Sequence, residues 1–302
     1  MIHHTASSAR RAIRIGIWLA VMLIVFPLSA AGEMIVTSGT VLKGKPIPSM
    51  LDKGYKLQIG GRDPFLGALE VKLKDQIKDY SGTFSVYVKD LKSGEYFTIN
   101  NRQMYAASLV KLYAMGAAFA QIRDGKLKEA DVEDEMRKMI VSSDNWCFND
   151  LTGKIGLNYL NKWIEGQGYA NTAVRHGCNP SDNSFGQRTA TSFNRTSVRD
   201  CGLFLERVYR KQCVDAVSSG KMLTLLKNQS RRSKIPAGVP AGVTVANKTG
   251  ETDDTSHDAA IVFSPGGDYI LVVMVTAPGS GWSKGSQIAG ISKTVYRYFN
   301  KN

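Results

Sequence analysis

Tyr105-Ala106-Ala107-Ser108-Leu109-Val110-Lys111-Leu112-Tyr113-Ala114-Met115-Gly116-Ala117-Ala118 is the stretch on which the fold of this chain turns. From near Ser108 it runs as an apolar helix that stops at Gly125, and it separates two kinds of sequence. Before it, apolar residues alternate with polar ones. After it, to about Gln229, they recur at helical spacing. The helix also sets Ser108 and Lys111, at i and i+3, on one face beside the positive end of the helix dipole.

Upstream, Phe84, Val86 and Val88 alternate with polar neighbours, Lys92-Ser93-Gly94 turns the chain, and residues 96–99 return, which predicts a β-hairpin. Asp63-Pro64 opens an earlier helix as an N-cap followed by a first-turn proline, with Phe65, Leu66, Leu69, Leu73 and Ile77 on one face. Downstream, helices are expected over about 131–141, 145–153, 157–166 and 197–210, the last with a capping box at Ser197-x-x-Asp200. After Pro240 the period returns to two, and strands are read at 243–248, 258–263 and 269–276. Residues 270–275 are continuously apolar, so that strand should be central and covered on both faces. An amphipathic helix over 287–299 closes the chain.

The order predicts an α+β fold: an antiparallel five-stranded sheet flanked by N- and C-terminal helices, with an inserted all-helical lobe. Residues 63–105 and 241–302 would form the sheet lobe and 106–240 the helical lobe, with a site in the cleft between them.

Composition agrees with a folded chain. It has 302 residues, of which 43% are hydrophobic and 22% charged, enough for one large or two small domains and unlike a disordered, collagenous or multi-span membrane protein. Arg10, Arg11 and Arg14, an apolar run over 15–26, and Ser29-Ala30-Ala31 follow the plan of a secretory signal cleaved before Gly32; an uncleaved anchor is the alternative. Residues 32–62, Gly- and Lys-rich with Pro46 and Pro48, read as an irregular arm. The formal charge of +13 suits an anionic cell-wall surface or simply a well-solvated monomer, and nothing points to nucleic acid. Cys147, Cys178, Cys201 and Cys213 permit disulfides in an exported chain, or remain as unpaired buried thiols. None has zinc-site spacing, and the histidines do not cluster with them, so no metal or cofactor is expected.

Two motif matches fail on chemistry. Gly39-x-x-x-x-Gly44-Lys45 copies a phosphate loop, but Pro46 replaces the hydroxyl that would hold magnesium. Gly281-Trp282-Ser283-Lys284-Gly285 copies a nucleophile elbow, yet no histidine follows Ser283. A third set is coherent: Ser108-Leu109-Val110-Lys111, Ser143-Asp144-Asn145 and Lys248-Thr249-Gly250, in that order. Alone, S-x-x-K is weak, and Ser218-Ser219-Gly220-Lys221 is a second instance.

Placement separates the two. A serine needs a base, and a lysine desolvated beside another cation gives up its proton readily. Ser143 falls in a loop where its hydroxyl can relay a proton, and the Asn145 amide can orient a substrate amide. Lys248 and Thr249, at a strand end, suit a substrate carboxylate, and Gly250 lets an extended substrate approach. The backbone N–H groups of Ser108 and Glu251 would form an oxyanion hole.

With these three motifs the sequence resembles the penicillin-recognising serine enzymes, specifically the class A β-lactamase-like serine hydrolases, over roughly residues 64–300. The stretches 105–111 and 139–145 match more fully than the bare motifs, and Asn149 also fits. The resemblance implies an exported enzyme in which Ser108 attacks a carbonyl, Lys111 is the base and Ser143 passes the proton on.

Three departures stand out. The separation of Ser108 from Ser143 is short, so the helical lobe is trimmed. Between Glu165 and Glu206 there is no glutamate to position a deacylating water, Asp182 being the nearest substitute. Glu251 brings a negative charge after K-T-G. Acylation by β-lactams or D-Ala-D-Ala-like substrates with slow deacylation is therefore expected. A D-alanyl-D-alanine carboxypeptidase or other peptide or ester hydrolase is the alternative, and a non-catalytic wall-binding module is the reading from another class.

Overall fold

The structure is a computed structural model that describes residues 34–36, 57–59, 64–178 and 191–301. The signal-like segment, the Gly39–Lys45 pattern and Asp182 lie outside the described residues. The chain divides into two units, 1–61 and 62–302. In the first, β1 (Met34–Val36) pairs in parallel with β2 (Leu57–Ile59), where the composition predicts only irregular chain.

The second unit holds α1 (Pro64–Lys78), then the hairpin β3 (Thr83–Asp90) and β4 (Tyr96–Ile99). A short β5 (Met104–Tyr105) leads into a 3₁₀ turn, Ala107–Leu109, and α2 (Val110–Arg123). The helical lobe continues with α3 (Glu133–Val141), α4 (Asn145–Ile155), α5 (Leu157–Gly166), α6 (Val198–Tyr209) and α7 (Ala216–Lys227). Three strands follow, β7 (Thr244–Thr252), β8 (Thr255–Phe263) and β9 (Tyr269–Thr276), and α8 (Gly285–Phe299) ends the fold.

The sheet is five-stranded in the order β4-β3-β9-β8-β7, and every neighbouring pair is antiparallel. As its apolar run predicts, β9 lies at the centre. Leu271, Val273 and Val275 pack with Leu66, Leu69 and Leu73 of α1 and with Ile288, Ile291 and Val295 of α8. Ile270, Val272 and Met274, on the opposite face, join the core of the helical lobe with Phe204, Leu205 and Leu112. Burying each such side chain stabilises by roughly 1.5–3 kcal/mol, so the central strand couples both layers.

Three details differ from the sequence reading. Ser108 sits in the 3₁₀ turn, and the α-helix proper begins at Val110. The inserted lobe is not wholly helical, because β6 (Arg195–Thr196) pairs with β5. Strands β7 and β8 run past the predicted 248 and 258 boundaries to a turn at Asp253-Asp254, because backbone pairing continues through polar residues that carry no apolar alternation. Of the two states left open for the four cysteines, the structure has the unpaired one, with Cys201 and Cys213 buried in the helical core.

Ser197 accepts from Asp200 N at 3.2 Å at the head of α6, while the Asp200 carboxylate also accepts from Asn171 N and Thr172 Oγ1. Among the described residues no helix is long and apolar enough to cross a membrane.

Helix α6 lies tight on the sheet at Gly202, where an added Cβ would come within 2.4 Å of the Tyr87 ring on β3. Overpacking of this kind costs about 1–3 kcal/mol. Gly202→Ala should lower the unfolding free energy by that amount in a urea titration, with little change in the slope.

Candidate active site

Three separate stretches meet at one hydroxyl. The chain leaves α3, reverses at Ser143 and enters α4, and Ser143 holds φ at +63°, a left-handed conformation costly for a residue with a Cβ. Asp144 caps α4 by accepting from Cys147 N at 2.9 Å. This fixed reversal presents both the Ser143 carbonyl and its hydroxyl to α2. Lys111 Nζ donates to Ser143 O at 2.7 Å and to Asn145 Oδ1 at 2.7 Å, and lies 3.4 Å from Ser143 Oγ. From the edge strand β7, Lys248 Nζ donates to Ser143 Oγ at 2.8 Å and to Thr249 O at 2.9 Å.

Both lysines are fully buried. Desolvation draws the Lys111 amine down to about 8, partly opposed by the negative charge of Asp144. Lys248 is pushed well below the ordinary lysine value, first by burial and then by the charges of Lys111 and Arg231.

Edge strand β7 passes directly over the turn that carries Ser108. A Cβ on Gly250 would lie 3.2 Å from Ser108 N, from the Ala107 Cβ and from the Ala106 carbonyl, so only glycine permits this approach without displacing its neighbours. Ala107, just before Ser108, is itself left-handed at φ +44°, a second strained residue in the site. A cavity of about 220 Å³ opens here, lined by Ser108, Ser143, Asn145, Thr249 and Glu251 together with Arg231 and Trp282. The structure therefore brings together every predicted site residue among those described.

Residues 68–132 and 128–299 match the family model described as "Beta-lactamase enzyme family". The chain belongs to this β-lactamase family. Among solved structures, "Structure of PBP-A" superposes with a TM-score of 0.70 at 23% identity, covering 80% of this chain and 99% of that one. A point mutant of PBP-A, titled as an acyl-enzyme complex with penicillin G, superposes at 0.69 with 23% identity over 78% and 98% of the two chains. A β-lactamase from Sphaerobacter thermophilus DSM 20745 gives 0.67 at 20% identity over 77% and 97%. No curated protein sequence matches this chain.

Within this member of the β-lactamase family, several residues at or behind the cleft carry no sequence signal. Arg231 and Lys234 come from the segment between α7 and β7, which has no motif to mark it. Lys234 pairs with the Glu251 carboxylate at 3.0 Å and Arg231 with its other oxygen at 3.3 Å, so the negative charge expected to oppose a carboxylate pocket is already neutralised. Burial draws Lys234 below its ordinary value, opposed by Asp258 and Glu251.

His257 on β8 donates from Nε2 to Tyr105 O at 2.9 Å, while its Nδ1 accepts from Val275 N at 3.1 Å. Those partners fix a neutral tautomer, and burial lowers the imidazole to about 4. This histidine ties Tyr105, just before the Ser108 turn, onto the sheet. Trp282 is 58% exposed at the cleft yet oriented by a 2.8 Å bond from Nε1 to Asp253.

The decoys separate cleanly from the site. Ser218 bonds to Asp215 at the start of α7, and Lys221 pairs with Glu129 at the surface. Ser283 donates to Ser280 O and is exposed.

Asn149, one turn beyond Asn145 on α4, is buried and accepts from Cys178 N at 2.9 Å. It lies so close to Gly177 that a Cβ there would come within 2.9 Å of its amide. Asn149→Ala leaves that backbone donor without its partner, a loss of about 1–3 kcal/mol. Chemical denaturation should show the loss, and hydrogen exchange should speed up at the Cys178 amide.

Proposed function

We propose that the protein is an active-site-serine hydrolase that forms an acyl-enzyme at Ser108 with β-lactam or D-Ala-D-Ala-like substrates and releases it slowly. The observation that carries this reading is the Ser143 hydroxyl, 2.8 Å from Lys248 Nζ and 3.4 Å from Lys111 Nζ, in the wall of the cleft that Ser108 lines.

A neutral Lys111 has two N–H groups, which match its two short acceptors, Ser143 O and Asn145 Oδ1. Its lone pair is then left to take the proton of the Ser108 hydroxyl. The Ser108 oxygen bonds to the substrate carbonyl carbon, and the carbonyl oxygen takes the negative charge at the N–H groups of Ser108 and Glu251. As the C–N bond breaks, Ser143 gives its proton to the leaving nitrogen and is reprotonated from the lysines. Asn145 spends its oxygen on Lys111, which leaves its NH₂ for a substrate carbonyl. Lys248, Thr249 and Arg231 receive a substrate carboxylate. The penicillin G acyl-enzyme complex of a PBP-A point mutant, which shares this fold, supports the assignment.

Slow release follows from the absence of any glutamate between Glu165 and Glu206, with the shorter Asp182 as the nearest substitute to activate water. The same absence favours a second reading, a D-alanyl-D-alanine carboxypeptidase, which needs no dedicated loop glutamate. We place the action outside the cytoplasm, on the basic, apolar and small-residue pattern of residues 10–31.

Intact-mass measurement after incubation with penicillin should show one adduct on the wild type that persists for minutes, and none on Ser108→Ala. An unlabelled wild type would overturn the proposal in favour of a binding module. Rapid nitrocefin turnover would overturn slow deacylation, and D-alanine release from a muropeptide would identify the carboxypeptidase. Because the base must be neutral, the acylation rate constant should rise with pH and level off above about 8. Ser143→Ala should slow acylation by roughly 10²–10⁴ with the fold intact by circular dichroism.

A further inference from the structure

Lys234 opens the 3₁₀ turn Ile235–Gly238 and is 1% exposed, an unusual place for an ammonium group. Besides the Glu251 carboxylate at 3.0 Å, its Nζ donates to His257 O at 3.0 Å and to Gly250 O at 3.4 Å. Gly250 and His257 face each other across β7 and β8, so one ammonium binds both carbonyls of a facing pair. The Gly250 carbonyl and the Glu251 N–H belong to one peptide unit, and among the described residues no peptide is cis. In a trans peptide these groups point in opposite directions. With the carbonyl turned to Lys234, the Glu251 N–H points away from it, and Glu251 lines the cleft with Ser108.

We infer that Lys234 is a positioning residue for acyl transfer: it clamps the Gly250–Glu251 peptide from behind and polarises it, making the Glu251 N–H a stronger oxyanion donor. The inference rests on the acyl-enzyme reading above. A cation on the carbonyl end draws electron density through the amide and strengthens the N–H as a donor, an effect amplified where water is excluded. The ion pair adds a second function. It folds the Glu251 carboxylate back toward Lys234, so that the side chain following the K-T-G motif does not set its charge against the developing oxyanion. Asp258 helps to keep the lysine in place, accepting from Ile235 N at 2.9 Å and opposing the desolvation of Lys234. Arg231, on the other Glu251 oxygen, is half exposed and lines the cleft, whereas Lys234 is buried and acts through the Gly250–Glu251 peptide and the Glu251 carboxylate.

The test compares wild type, Lys234→Met and Lys234→Gln after reaction with penicillin, reading the acylation rate by intact mass and the ester carbonyl stretch of the adduct by difference infrared spectroscopy. A weaker oxyanion hole polarises the ester less and raises that frequency. Lys234→Met is expected to acylate about tenfold more slowly, a fraction of the loss of a whole oxyanion donor. Its carbonyl band should sit at higher frequency, with Lys234→Gln, which keeps a donor for the carbonyls, in between. Affinity for a boronic acid that forms a tetrahedral adduct at Ser108 should fall by a similar factor. Slower acylation with an unmoved band would mean a merely structural lysine and would overturn the inference, as would wild-type rates in both variants. Should Lys234→Met not fold, the same comparison stands between wild type and Lys234→Gln. If the wild type forms no adduct, no ester band appears in any sample, and it is the acyl-enzyme reading that fails, taking this one with it.

Discussion

Two amines buried from solvent share one hydroxyl in the wall of the cleft, and the rest of the molecule is arranged around keeping them there. Lys111 and Lys248 are buried from solvent, and the acceptors they find are neutral: two backbone carbonyls, one side-chain amide and Ser143. Without a carboxylate in the cage, desolvation prevails and both groups release protons more readily than a surface lysine. Lys234 offers the comparison. Equally hidden and likewise drawn below its ordinary value by burial, it differs in having a carboxylate, Glu251, as a partner that opposes the shift. Identical buried side chains thus differ in the oxygens each one meets.

Such a cage needs a scaffold that resists relaxation. Ala107 and Ser143 both hold left-handed backbones beside the reacting groups, and Gly250 accepts a contact that a Cβ would spoil. These are local costs, each of order 1–3 kcal/mol, sustained by the two apolar layers that meet at β9. The stable part of the fold and its strained part are distinct, and the burial in one offsets the distortion in the other.

Much of this was legible from residue order alone. The continuous apolar run in β9, the hairpin before Ser108 and the three motifs place the sheet, the lobes and the polar centre of the cleft. A motif of two residue types could not discriminate by itself, since Ser218 and Lys221 have the same spacing as Ser108 and Lys111. What distinguishes them is whether the helix is enclosed. The illegible part has a common cause. Arg231 and Lys234 approach from a segment without periodicity, and their partner, Glu251, lies in another element. Pairing between distant side chains leaves no imprint on local pattern. The ends of β7 and β8 were missed for a related reason, because a backbone ladder at a polar sheet edge needs no alternation to form.

The connection between β3 and β9 carries a consequence for how the molecule comes into being. Thr83 pairs with Thr276 and Asp90 with Tyr269, so the middle of the sheet joins stretches from opposite ends of the folded unit. The hairpin made first has an exposed edge until β9 arrives, and the entire helical lobe must be synthesised before that edge is covered. Such long-range closure is slow, and until it happens the nascent chain carries sticky surface. A polypeptide of this design can be threaded or handed over while still open, and commits to its final shape only when its last strand and helix emerge.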